Sequence, residues 1–125
     1  QYFIFECKSE VNIDRQEINK HEAGQMNTHC GWFESQYGNA PVKRILIIPT
    51  KTLSYHGDFT HSVHIMRRGK LRDLRNSVRS FFKEFNKYEL DSLSDEKIQE
   101  FLNTHKLDID SLKEKYSENY FKKTS

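Results

Sequence analysis

"FIFECKSE", residues 3–10, decides how the chain is read. Phe3-Ile4-Phe5 is an apolar, β-prone run that ends on an acid and a base with one residue between them. Residues two apart on a strand point the same way, so Glu6 and Lys8 aim a carboxylate and an ammonium at one point in space. Cys7 points to the opposite face, and only its backbone carbonyl can share that point. In a chain that is 30% charged, an isolated Glu-x-Lys is an ordinary surface ion pair. Its neighbours decide whether it is more than that.

Upstream and downstream the pattern is α/β. "QYFIFECK" has the apolar centre of a strand inside a sheet. A polar connection follows, and from about residue 17 to 37 the period turns helical. Ala23, Met26, Cys30, Phe33 and Tyr37 form one apolar stripe, with Glu22, Gln25 and His29 on a second stripe beside it. That second stripe lies at the rim of a helix–sheet interface, within reach of the end of the preceding strand. "YGNAP" breaks the helix. "VKRILIIPT", residues 42–50, is the strongest strand in the sequence, continuous and β-branched. "KTLSYHGDFTH" reads as a loop turning at Gly57-Asp58, and "SVHIM" as a short strand. A second amphipathic helix runs from about residue 69 to 85, with Leu71, Leu74, Val78, Phe81, Phe82 and Phe85 as its buried face. Two short helices are predicted near 95–104 and 110–121, capped by Ser94 and Asp110.

The domain reading is a core over 1–86 and a helical extension over 87–125. Three strands are few for this many helices, and Gln1 stands inside a strand. The chain is therefore read as a piece of a longer polypeptide whose earlier strands are missing.

A strand-borne Glu-x-Lys can build a hydrolytic phosphodiesterase site. Mg²⁺ is a hard cation that keeps several waters and takes one or two carboxylates. A lysine one pleat away can orient water and stabilise charge growing on a phosphate. Glu6 and the Cys7 carbonyl are the metal-ligand candidates, Lys8 the catalytic amine, and Glu22 and Gln25 the supports.

"FIFECKSE" followed by "EINKHEAGQMNTHCGWF" resembles the core of the PD-(D/E)xK, or restriction-endonuclease-like, nucleases, over about residues 2–50. That resemblance implies a mixed sheet flanked by helices, with an acid-x-lysine signature ending one strand and a Glu or Gln on the next helix facing the site. On it Glu6 corresponds to the metal-binding acid, Lys8 to the catalytic lysine and Gln25 to the helix glutamine. Glu22 is a looser match. Many members have tyrosine four residues after that glutamine, whereas His29 stands there in this chain. The family's first metal-binding Asp lies on an earlier strand, so it is expected on an upstream segment. The resemblance implies a Mg²⁺-dependent (or Mn²⁺-dependent) DNA endonuclease of restriction, antiphage defence or repair. Such domains are often fused to a helicase or other ATPase, and two-strand cutting favours a homo-oligomer. The rival readings are a catalytically inactive DNA- or protein-binding module on the same fold, and an RNA-directed nuclease.

Charge distribution adds a surface. The net charge of 125 residues is only +2, yet residues 67–83 hold seven bases against the single acid Asp73. Arg68, Arg72, Arg75 and Arg79 fall on one stripe, with almost no acids for i,i+4 pairing. Next to a nuclease signature, such a helix is read as a contact to the DNA backbone. His56, His61 and His64 match no strong zinc spacing. Trp32 and Phe33 are read as core or subunit contacts, and Lys43 and Arg44 as solvated. Two cysteines, Cys7 and Cys30, fit reduced thiols of a cytoplasmic protein. No apolar run is long enough to span a membrane.

Overall fold

The computed structural model describes residues 1–8, 12, 14–51 and 59–120. Within them the order is β1 (Tyr2–Cys7), α1 (Lys20–Tyr37), β2 (Val42–Ile47), β3 (Val63–Met66), α2 (Arg68–Phe85), a 3₁₀ turn, α3 (Asp95–Thr104), α4 (Ile109–Glu114) and β4 (Glu118–Tyr120). The four strands form one sheet in the order β1-β2-β3-β4. The first three strands run parallel, with Glu6 opposite Leu46 and Ile47 opposite Met66. β4 returns antiparallel to β3. The α/β class read from the sequence is thus present as a four-stranded mixed sheet. The predicted turn at Gly57-Asp58, His56, and residues 9–11 and 13 of the connection after β1 lie outside the described residues.

β2 organises the layers. Its continuous apolar run gives both faces something to bury. Leu46 and Ile48 join Ile18, Ala23, Met26 and Cys30 of the α1 side, with Val63 and Ile65 of β3, in one core. Ile45 packs with Met66 and Tyr116 on the other face, where Leu74 of α2 and Leu112 of α4 close over it. Each fully buried aliphatic side chain contributes about 1.5–3 kcal/mol, so the sheet is fixed from both sides.

Three boundaries differ from those predicted. α1 starts at Lys20, because Asn19 caps it and Glu22 reaches back to the Asn19 N–H in a capping box. α4 is capped by Asp108 rather than Asp110. The helix expected over 110–121 ends at Glu114, and the chain turns into β4; the segment after residue 86 is therefore not helical throughout. β1 bounds the sheet among the described residues, and Tyr2 and Phe5 are exposed. Its partly covered side chains Phe3 and Ile4 pack on the two opposite faces of the sheet.

α2 differs in rotation. Leu71, Val78 and Phe82 of the expected buried face are exposed, and Phe81 is the fully inward position. Leu74 and Ser77 also turn inward. Ser77 is drawn in by Tyr116, which is 0% exposed. The Tyr116 phenol donates to the Lys106 carbonyl at 2.8 Å and shares a hydrogen bond with Ser77 Oγ at 2.7 Å. One polar-tipped aromatic thus ties α2, the α3–α4 turn and the sheet together. Tyr116→Ala is expected to destabilise the fold by about 3–5 kcal/mol, and Tyr116→Phe by about 1 kcal/mol. Denaturant unfolding of both variants checks this, and equal effects would refute the hydrogen bonds' part in it.

His64 on β3 supplies a pH dependence. Burial, and secondarily the charge of Lys43, lowers its pKa from the ordinary 6.5. The unfolded chain then binds the proton that the folded chain refuses. Stability is present above the ordinary value and is lost as pH falls below it. Unfolding midpoints of wild type and His64→Gln should diverge as pH falls below about 6.5, with the variant less acid-sensitive. Parallel curves would refute the assignment.

Candidate active site

The three parallel strands end on one edge of the sheet: β1 at Cys7, β2 at Ile47 and β3 at Met66. Open α/β sheets present ligand sites at this carboxyl edge. Lys8 continues the ladder, its N–H donating to the Ile47 carbonyl at 2.9 Å. Alternate residues of a parallel strand bond to a given neighbour, so the Cys7 carbonyl is directed away from β2.

Glu6 and Lys8 share the face covered by α1. Lys8 Nζ lies 3.4 Å from Glu6 Oε1, and their side chains are only 15% and 16% exposed. That degree of burial separates them from a solvated surface pair. Lys8 Nζ also donates to Gln25 Oε1, from the second turn of α1. The other carboxylate oxygen of Glu6 lies 2.6 Å from His29 Nδ1. The order is therefore Gln25–Lys8–Glu6–His29, with one side of His29 open to solvent. Gln25 and His29 meet the strand because i and i+4 lie on one helix face.

The predicted residues do not all converge. Glu6, Lys8 and Gln25 are brought together. Glu22 is not engaged with them: it is 6% exposed, and it accepts both guanidinium nitrogens of Arg15 and the Asn19 N–H. Its bonds hold the start of α1 to the incoming chain. His29 enters the cluster in its place. The signal for it was the helical stripe that it shares with Gln25.

The surroundings also differ from expectation. Trp32 is 59% exposed while Phe33 is buried. Trp32 stands on the rim of an aromatic groove of about 400 Å³ that includes Tyr2, Phe5 and His29. Arg44, read as solvated, is mostly covered, and it lies 3.8 Å from Glu34. His61 Nε2 lies 2.5 Å from the same carboxylate. Burial raises the Cys30 thiol pKa, and the Arg44 guanidinium opposes that rise. Arg68, Arg72, Arg75 and Arg79 are all exposed on α2.

Among the described residues no three His, Cys, Asp or Glu side chains converge. The oxygen donors at the strand end are the Glu6 carboxylate and the Cys7 carbonyl. A hard cation that keeps most of its waters fits such a set, since it needs only one or two carboxylates. Compared with models of protein families, with curated proteins and with solved structures, the chain matches none. Among the described residues no helix is long and apolar enough to cross a membrane.

The division of labour between the two helix acceptors is testable by stability. Glu22→Ala removes a cap and a charged partner, and should destabilise by about 1–3 kcal/mol. Gln25→Ala, at the solvent-facing rim, should change stability by less than about 1 kcal/mol. Thermal unfolding of the two variants compares them, and a reversed order would refute the assignment.

Proposed function

We propose that the chain carries the Glu-x-Lys half of a metal-dependent nuclease that hydrolyses phosphodiester bonds in DNA. The observation that supports this most is the position of Lys8 Nζ, held between Gln25 Oε1 and Glu6 Oε1 at the carboxyl end of β1. Three residues singled out for one chemistry, from two elements, meet at one point.

In this reading Glu6 and the Cys7 carbonyl would hold Mg²⁺ or Mn²⁺, which supplies Lewis-acid stabilisation of charge developing on the phosphate. Lys8 places a positive charge where the non-bridging oxygens gain charge, and it orients the attacking water. Gln25 fixes the ammonium's direction, so that little reorganisation is left for the reaction itself. His29 restrains the Glu6 oxygen that Lys8 does not. The arginine stripe Arg68, Arg72, Arg75 and Arg79 neutralises backbone phosphates and contributes affinity without sequence preference. A homo-oligomer, and fusion to a helicase or ATPase, belong to this reading through the resemblance to PD-(D/E)xK nucleases alone.

One observation favours a second reading, a catalytically inactive DNA- or protein-binding module on the same fold. Glu6 has both oxygens engaged, by Lys8 and by His29. A remnant site would keep such an ion-paired cluster for stability.

Plasmid cleavage separates the two. The parent protein with Mg²⁺ or Mn²⁺ is expected to nick or linearise DNA, and EDTA is expected to stop it. Lys8→Ala should lower the rate at least about 100-fold while DNA affinity changes by less than about threefold. Undiminished cleavage by that variant would refute the catalytic role. DNA binding without cleavage under any metal would select the inactive module.

A further inference from the structure

The same edge of the sheet carries a second feature, at the β3 end. Thr50 and Lys51, just past β2, face Arg67, Arg68, Gly69, Lys70, Arg72 and Asp73 across a cleft of about 590 Å³. Five of these eight residues are cationic and one is acidic. Arg67 is partly committed: its Nε bonds Glu118, and its Nη1 donates to the Lys51 carbonyl at 2.6 Å. Those bonds pin the cleft wall in place, and Lys51, Arg68, Lys70 and Arg72 are its exposed charges.

The cleft opens onto the first turn of α2, a helix of 18 residues. Among the described residues no side chain caps that turn. The Arg68 N–H reaches the Thr50 carbonyl at 3.4 Å. The Gly69 and Lys70 N–H groups, by their position in the first turn, have no acceptor within the helix. A Cβ at Gly69 would meet nothing within 4 Å, so this position of the first turn has room for a side chain. Most helix starts resolve this with Ser, Thr, Asp or Asn; this one presents Arg67.

An independent observation points the same way. Thr50 forms part of the wall and is 0% exposed, yet its hydroxyl has no hydrogen-bond partner among the described residues. A buried hydroxyl without a partner is costly and uncommon. Open backbone donors, a positive helix end, clustered cations and an unused hydroxyl together make an anion cradle.

We propose that this cleft seats one backbone phosphate of the nucleic-acid strand whose scissile bond lies at Glu6 and Lys8. The proposal rests on the nuclease reading for the strand's identity, but not for the existence of the cradle. β1 and β3 are two strand spacings apart, about 10 Å. That corresponds to about three nucleotide rises of one duplex strand. The cleft would fix the strand's register relative to Lys8, whereas Arg75 and Arg79, farther along α2, supply only diffuse attraction.

The test uses the whole chain and needs no cleavage. Fluorescence anisotropy in EDTA follows a labelled 12-nucleotide single strand and its duplex, against wild type and three variants. Gly69→Asp places a carboxylate in the first turn of α2, where it favours the helix dipole but repels phosphate. Ser80→Asp adds the same charge three turns along α2, outside the cleft. Thr50→Val removes the unused hydroxyl at constant shape.

Gly69→Asp is expected to weaken binding at least tenfold with an unchanged or higher melting temperature. It should lower the salt slope of log K by about one. Ser80→Asp should cost less than threefold. Thr50→Val should raise the melting temperature and weaken binding about threefold or more. Equal losses from Gly69→Asp and Ser80→Asp, or wild-type binding by both Gly69→Asp and Thr50→Val, would overturn the proposal. If orthophosphate raises the melting temperature of wild type but not of Gly69→Asp while strand affinity is unaffected, the cleft takes a small phosphate compound, and the strand proposal is equally overturned. Failure of the nuclease reading is read separately. Binding lost in Gly69→Asp by a protein that never cuts keeps the cradle and discards the catalysis.

Discussion

The parallel pairing of β1 with β2 is the constraint from which the rest follows. It sets Lys8, one residue beyond the end of β1, against Ile47, the last residue of β2. It also requires a crossover, and the crossover is α1. A helix that must return over the β1–β2 pair buries Ala23, Met26 and Cys30 on Leu46 and Ile48. Once that stripe is seated, Gln25 and His29 have no choice of direction. The rim beside a buried stripe faces the strand end, and the strand end carries Glu6 and Lys8. The polar cluster is therefore a consequence of apolar packing two residues away, and it needs no stabilisation of its own to form.

That dependence explains what was legible in the sequence. Alternation along "FIFECK" and the step of three and four along α1 are local signals, and they placed Glu6, Lys8 and Gln25 together. The rotation of α2 was not local. Leu71, Val78 and Phe82 have the same apolar spacing as an inward face, yet the inward line runs through Leu74, Ser77 and Phe81. Tyr116 selects it, from 39 residues away along the chain. Likewise β4 is three residues long, too short for a period, and becomes a strand only because β3 offers an open side. Glu22 illustrates a third kind of miss. Helical spacing put it on the same stripe as Gln25, but Asn19 three residues earlier made it a capping residue. The Asn-x-x-Glu pattern was readable and competes directly with a role at the strand end.

Electrostatics separates the two ends of the carboxyl edge. At the β1 end the charges are few, close and nearly buried, and each has a partner. Strong local pairing there fixes direction and contributes little long-range attraction. At the β3 end the cations outnumber the acids and stand in solvent, so they act at a distance and are screened by salt. A polyanion would be drawn by the second end and organised by the first. With a net charge of +2 over the whole chain, this division, and not the total, is what gives the molecule a polar axis.

The pairing of Glu6 with both Lys8 and His29 bears on how a cation could enter. A divalent ion at the carboxylate competes with two positive or proton-donating partners. Lys8 has an alternative acceptor in Gln25, so it can yield its share of Glu6 without leaving the site. His29 is half in solvent and lacks comparable restraint. In the nuclease reading, a cation held by Glu6 would therefore compete with the imidazole for a carboxylate oxygen whose partner is the less restrained of the two. Among the described residues Lys8 has acceptors on two elements and His29 has one, so the ammonium is the better fixed of the two partners of Glu6.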